Sequence, residues 1–470
     1  PKVDESFSAM ISYLGRVNYS YDNRYLLTAS IRSDGSSKFP KGKKFSYFPS
    51  VAFAWKISNE KFMQSVGSIS ELKLRLSYGM TGNQGIPPFR SQSRYSAVFY
   101  TFNENGGLSP ISNLISGIGI TSMENENLTW ETTHQYNAGF DIGLFNNRLQ
   151  LTADVYYKKT LDLLIDKPVP YLTGYTTTMA NSGSLENKGL ELTLNTVNVS
   201  TKNFQWTTSF NISFNRNKIL DLGSSGMLSY VANFYDEAFV LAPGQPVGTM
   251  YGYQCDGVYR YRDYKNFYVD NDPAKGMRPR YEWQAIYDDI VKNKNGEFEL
   301  VDGVPTFSGE VPIPGSPKYR NITRGDNNVN EEDRTFIGHS DPKFYGGFIN
   351  KFQFKGFDLN VFFQYSVGND FFVASYFPLS GTGNRNILKS IWDNAWRPWR
   401  DDGSWPDYTN DSYRQTSSSL WIEDGSYLKL KELTIGYTIP VRITGRFGIS
   451  NLRVFVTGQN LFTWTNFSWY

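Results

Sequence analysis

Two histidines and one cysteine are all that this 470-residue chain offers as soft metal ligands or a thiol nucleophile. His134, His339 and Cys255 are far apart in sequence, so no His-rich metal site or Cys–His pair is spelled out, and a single cysteine excludes an intrachain disulfide. No GxSxG, HExxH or glycine-rich phosphate loop is present. Adjacent carboxylates occur at Asp288-Asp289, Glu331-Glu332 and Asp401-Asp402. In loops, such neighbours read as solvated surface, because a glycosidase pair meets in space rather than in sequence.

What the chain has in quantity is aromatic surface: 32 Tyr, 34 Phe and 11 Trp, or 16% of residues. Trp283, Trp392, Trp396, Trp399, Trp405 and Trp421 fall in long stretches without periodicity. Indole faces flanked by Asp, Asn and Arg suit a ligand with stacking rings and hydroxyls, such as a sugar. The same rings serve loop packing or contacts to a covering partner. The chemistry in prospect is therefore binding, not covalent change, and the chain is read as no enzyme.

The elements that would position these loops are strands. Four runs between Leu128 and Asn217 alternate apolar and polar residues, for example Leu151, Ala153, Val155 and Tyr157 against Thr152, Asp154 and Lys158. Two connections are tight, at residues 145–148 and 200–203, while the one between them, from about Asp166 to Gly183, is long and irregular. Alternating short and long connections mark an up-and-down barrel, particularly of the outer-membrane kind. Similar runs occur at residues 7–21, 24–33, 45–57, 72–80, 343–354, 357–366, 425–439 and 451–460. They make roughly twelve strands of about ten residues, the length that a tilted membrane strand needs. A soluble sandwich strand gives the same alternation, but the rhythm of short strands expected of one is missing.

Residues 58–72 read as a short helix or irregular connection, and 81–127, 219–342 and 367–424 as long loops. In the strand at 425–439 the apolar phase slips near Glu432, from Leu428 and Leu430 to Leu433, Ile435 and Tyr437, which predicts a β-bulge. No run of about 18 apolar residues exists, so no helix spans a membrane. Lys and Arg total 47 against 45 Asp and Glu, for a net charge of +2, so nothing draws the chain to nucleic acid.

Longer strings carry more than periodicity. They include RYLLTASIRSDGSSKFP (24–40), ISELKLRLSYGMTGNQGI (69–86), SLENKGLELTLNT (184–196), GQPVGTMYGYQCDGVY (244–259) and NLRVFVTGQNLFTWT (451–465). In this order, over nearly the whole chain, they resemble the C-terminal barrel portion of the SusC/RagA family of TonB-dependent outer-membrane transporters of Bacteroidetes. The resemblance implies an all-β fold: a transmembrane antiparallel β-barrel of about 22 strands, filled by an N-terminal plug. It implies a multi-pass location in the outer membrane of a Gram-negative bacterium, among outer-membrane lipid and lipopolysaccharide. It also implies TonB and a SusD-like surface lipoprotein as partners, and uptake of oligosaccharides or, in some members, peptides. A non-transporting surface receptor or adhesin built on the same barrel, and a soluble aromatic-rich glycan hydrolase, are the readings weighed against it.

With short turns periplasmic, the turn at Asp22-Asn23 sets the strand at 24–33 running outward and every later strand by alternation. Residues 220–342 and 367–424 then lie outside the cell. On this count about nine strands precede residue 1 and one follows residue 470. Residues 321–333 fall where family members resemble a calcium loop, with Asn321, Asp326 and Asp333 as the candidate oxygen ligands. This copy departs from the pattern. It begins with Asn321 rather than Asp, is one residue longer and carries Arg324, so no cofactor is expected beyond a possible Ca2+.

Overall fold

The computed structural model describes residues 7–101, 114–175, 177–231, 237–265, 298–323, 325–376, 386–397, 400–407 and 416–468. Twelve long strands form one antiparallel sheet, and each neighbours the next in chain order. They are β1 (Met10–Tyr21), β2 (Tyr25–Ser36), β3 (Phe45–Lys56), β4 (Ile69–Asn83), β5 (Glu131–Leu144) and β6 (Leu149–Leu161). There follow β7 (Ser184–Ser200), β8 (Phe204–Asp221), β9 (Phe344–Phe354), β10 (Phe357–Val367), β11 (Tyr427–Ile439) and β12 (Leu452–Thr465).

The register keeps one face apolar throughout. Leu76 pairs with Ala138, Ala138 with Val155, Val155 with Leu190 and Leu190 with Phe214, all on one side. Further on, Phe348 pairs with Phe363 and Leu359 with Ile435, again on that side. Val155 and Ile435 are each 55% exposed. A soluble sheet would have to cover such a face, whereas hydrocarbon makes it the stable one. From β2 to β11 the ladder pairs every strand on both sides, as lipid demands.

The predicted bulge is present and accounts for the slipped phase. Phe362 pairs with Glu432 but Phe363 with Leu430, so Lys431 is extra and the residues on both sides of it keep their apolar side chains on one face. Across the β11–β12 pair, Leu430 faces Phe462 while Glu432 faces Gln459.

Several strands outrun the stretch in which alternation was visible. β7 has 17 residues and β8 has 18, about 55 Å of extended chain, well beyond the roughly 30 Å hydrocarbon layer. Above the lipid the ladder continues with charged and amide residues, where no apolar alternation is required.

Connections alternate as expected. Asp22 and Asn23 have φ of 50° and 49°, and Lys355 and Gly356 have 46° and 94°, the left-handed pairs that tight hairpin turns need. Residues 57–68 form a compact turn with 3-10 pieces at Ile57–Asn59 and Lys61–Met63. Glu60 clasps it: its buried carboxylate accepts from Arg24 Nη1 (2.8 Å), Tyr25 Oη (2.7 Å) and Trp55 Nε1 (3.0 Å).

At the opposite end, the described parts of the long connections form lobes with cores of their own. One core joins Phe39, Ile86, Leu128, Trp130 and Met179 from separate connections with Phe48 of β3. A second joins Val258, Tyr259, Tyr261, Tyr264 and Trp396, and a third Val373, Tyr376, Ile391 and Trp421. The 81–127 stretch, expected to be irregular, carries the hairpin Arg94–Thr101 with Leu114–Ser122. Its Gly-rich second strand hides the alternation.

Candidate functional site: the polar wall and the loop lobe

The face opposite the apolar one carries Asn, Gln, Ser, Thr and charged side chains, and a three-strand ion network is its most developed feature. Arg75 on β4 donates Nε and Nη2 to Asp141 on β5 (2.9 and 3.0 Å), and Nη1 and Nη2 to Asp154 on β6 (2.9 and 3.0 Å). Lys73 adds a longer contact to Asp141 at 3.7 Å. The guanidinium reaches the second strand over because Gly139 lies between: it pairs with Arg75 on one side and Asp154 on the other. A Cβ at Gly139 would sit 2.4 Å from Asp154 Oδ1 and 2.6 Å from Arg75 Cζ.

Glycine serves as a saddle elsewhere in the sheet. Tyr156 lies over Gly189 and its hydroxyl donates to Asn215 Oδ1 at 3.0 Å. Arg453 reaches Asp358 over Gly436, with contacts of 2.9 and 2.6 Å. These side chains tie each strand to its next-but-one neighbour and stiffen the wall. Consecutive strand residues point to opposite faces, so Tyr157 stands with the outward-facing aromatics while Tyr156 belongs to the polar face. Trp464, 53% exposed, stacks beside Phe462 on the outward face, and Trp469 lies outside the described residues.

The loop tryptophans divide. Trp283 and Trp399 lie outside the described residues. Trp396 and Trp421 are buried to 1% and 0% exposure, contrary to a role in ligand contact. Trp396 donates Nε1 to Asp401 Oδ1 (2.7 Å) and packs edge-on against Tyr261 at 5.4 Å; Trp421 donates Nε1 to the Thr416 carbonyl at 2.9 Å. Trp405 is partly covered, against Tyr376 (5.3 Å) and Trp421 (6.0 Å). These three rings are what the loops pack around. Trp392 is 42% exposed, with the Arg397 guanidinium 3.9 Å from its ring centroid. It is the described loop tryptophan that a ligand can meet.

Residues 321–333 form a closed clasp. Asp333, fully buried, accepts at Oδ1 from the Ile322 and Thr323 amides (2.6 and 2.7 Å) and the Thr323 hydroxyl (2.5 Å), and at Oδ2 from the Asn330 amide (2.9 Å). Burial works to raise its pKa, but these donors overcome it and hold the carboxyl below the usual range. Asn321 Nδ2 donates to the Asp326 carbonyl at 2.8 Å, and Asn330 Nδ2 lies 3.4 Å from Asp326 Oδ2. The structure thus joins Asn321 to Asp326 and ties Asp333 to the amides of the same loop, while the buried Asn321 Oδ1 has no hydrogen-bond partner among the described residues. Asp401 is likewise occupied by the Trp396 indole and the Tyr261 amide, and Asp288-Asp289 lies outside the described residues. Burial pushes the Cys255 thiol up to about 11, away from nucleophilic chemistry.

Sequence reasoning missed the Arg75 network. Its signal was there: Arg75, Asp141 and Asp154 all fall at the polar parity of adjacent strands, and only the pairing register, which places Gly139 between them, was lacking.

The matching family is described as TonB dependent receptor-like, beta-barrel, and it matches residues 7–281. TonB-dependent receptor P3 of Formosa agariphila is 34% identical over 97% of this chain and 41% of its own length. TonB-dependent receptor SusC of Bacteroides thetaiotaomicron is 29% identical over 97% of this chain and 40% of its own. The solved RagAB peptide transporter superimposes with a TM-score of 0.73 at 25% identity, covering 98% of this chain and 44% of the other. The chain therefore spans about two-fifths of the length of the curated relatives it matches. Its two-faced sheet and a family match over more than half its residues lead to one conclusion: this chain belongs to the TonB-dependent receptor β-barrel family, of SusC/RagA type, and resides in the outer membrane of a Gram-negative bacterium.

Proposed function

We propose that the chain forms wall and outer loops of an active importer of nutrient oligomers, oligosaccharides first, that works beneath a SusD-like surface lipoprotein and is energised by TonB. The observation carrying this reading is the continuous polar face behind an equally continuous apolar one. Such a sheet is a rigid partition between lipid and a wet passage, with no reacting group in it. Ligand is caught among the loops and the covering lipoprotein, and the wall's polar groups line its way down. Trp392, exposed beside Arg397, supports a stacked sugar ring.

Peptide is the second reading, favoured by the likeness to the RagAB peptide transporter. Growth of the source bacterium on defined oligosaccharides and on peptides as sole nutrient separates the two. Deleting the receptor gene, or removing only the TonB-contacting segment of the full-length receptor, abolishes growth on the true substrate class. Unimpaired growth on both classes in both strains would sink the proposal.

A further inference from the structure

Near the long-loop end, the apolar face changes character over three rows. The innermost row is Leu76, Ala138, Val155, Leu190 and Phe214. The next is Tyr78, Tyr136, Tyr157, Lys188 and Arg216 in direct register. The outermost is Met80, His134, Lys159, Glu186 and Lys218. Rows lie about 7 Å apart along the strands.

Four basic side chains, Lys159, Lys188, Arg216 and Lys218, thus cluster against one carboxylate on the outward face, Glu186. Asp341, on the adjoining loop, faces Arg216 from the side and is hydrogen-bonded by Asn217. Glu186 is shared by Lys188 (2.9 Å) and the Tyr157 hydroxyl (3.2 Å). Lys188 also stands 5.7 Å over the Tyr157 ring, and Arg216 Nη1 donates to the Pro342 and Lys343 carbonyls, both at 3.2 Å. Lys188, Arg216 and Lys218 are exposed. Directly inward of them an open groove of about 650 Å³ runs between Leu76, Tyr136, Val155, Leu190 and Phe214, with Lys188 and Arg216 at its rim.

An apolar groove ending under a basic rim is the complement of one kind of molecule: an acyl chain joined to an anionic headgroup. Simple snorkelling of lysines explains a rim but not a groove. Because short turns are periplasmic, this end lies at the outer leaflet. We propose that the Lys188–Arg216–Lys218 rim and its groove are a binding site for a phosphorylated glycolipid of the outer leaflet. A phosphate sits among the three cations and an acyl chain lies in the groove. The inference rests on the outer-membrane placement of the sheet and not on which nutrient is imported.

The test is native mass spectrometry of the full-length receptor in mild detergent, titrated with bisphosphorylated lipid A and with the same lipid A dephosphorylated. Wild type retains the bisphosphorylated form, and the dephosphorylated form binds on the order of tenfold more weakly. Lys188→Gln with Lys218→Gln brings a similar loss for the bisphosphorylated form, while Lys351→Gln on the opposite face changes nothing. A heat-dependent shift in mobility between unheated and boiled samples confirms that each variant is folded. Equal binding of the two lipids, or unchanged binding by the Lys188/Lys218 variant, overturns the proposal.

Discussion

Arg75 and Asp154 stand on strands that do not touch, and they are joined by hydrogen bonds of 2.9 and 3.0 Å across the bare backbone of Gly139. Arg75 thereby pairs with Asp141 and Asp154 at once, and Glu191, the register partner of Asp154, adds a third carboxylate to the same patch. Arg75→Met leaves these acids without their shared cation at a half-buried site. The cost expected is about 3 kcal/mol. Denaturant unfolding from detergent measures it, and a Arg75→Met/Asp154→Asn double-mutant cycle is expected to show coupling of about 1–3 kcal/mol.

Gly139→Val puts a branched side chain where the guanidinium lies. It is predicted to lose the Asp154 contact and to destabilise at least as much as Arg75→Met. Gly174→Ala, at a loop position with open space around its Cβ, is predicted to cost much less despite its φ of 79°. Melting of the unheated-gel form compares the two directly.

The bulge at Lys431 makes a sharp prediction. Deleting this residue shifts Leu428 and Leu430 to the polar face and their polar neighbours into lipid. Outer-membrane assembly is expected to fail, while Lys431→Ala assembles normally. Heat-modifiable mobility of membrane fractions reads both.

The clasp at residues 321–333 is pH-sensitive in one direction. The carboxyl of Asp333 is held below its unfolded value of about 3.9, so its contribution is fully present above that pH. It is lost as pH falls through the lower folded value. Hydrogen exchange of the 321–333 amides is therefore predicted to stay slow at neutral pH and to accelerate below about pH 4. Asp333→Asn removes that dependence. Because loop donors already fill the carboxylate, millimolar calcium is predicted to leave the exchange unchanged.

The tryptophans separate packing from recognition. Trp396→Ala empties a buried site and is expected to destabilise the loop lobe by about 3–5 kcal/mol. Trp392→Ala leaves stability unchanged and weakens ligand binding about tenfold. Calorimetry and ligand titration on the same purified complex distinguish these effects.

The strands were legible because alternation is a local signal, and Leu149 to Tyr157 shows it without help from any other segment. The slip at Glu432 was legible for the same reason. Strand ends were not, since Lys218 to Asp221 continue the ladder of β8 without an apolar rhythm. Nor was the fate of each tryptophan: Trp392 and Trp396 stand four residues apart, and only tertiary packing exposes one and buries the other. The Arg75 network needed pairing register, which one strand's sequence does not contain.

The most direct measurement of the account is topological. In a full-length receptor with every native cysteine replaced, Cys255→Ser among them, single cysteines are introduced as Gly174→Cys in a long loop and Lys202→Cys in a tight turn. A membrane-impermeant maleimide is then applied to intact cells. Labelling is expected at residue 174 on intact cells, and at residue 202 only after the outer membrane is permeabilised. Labelling of residue 202 on intact cells, with residue 174 protected, would contradict it.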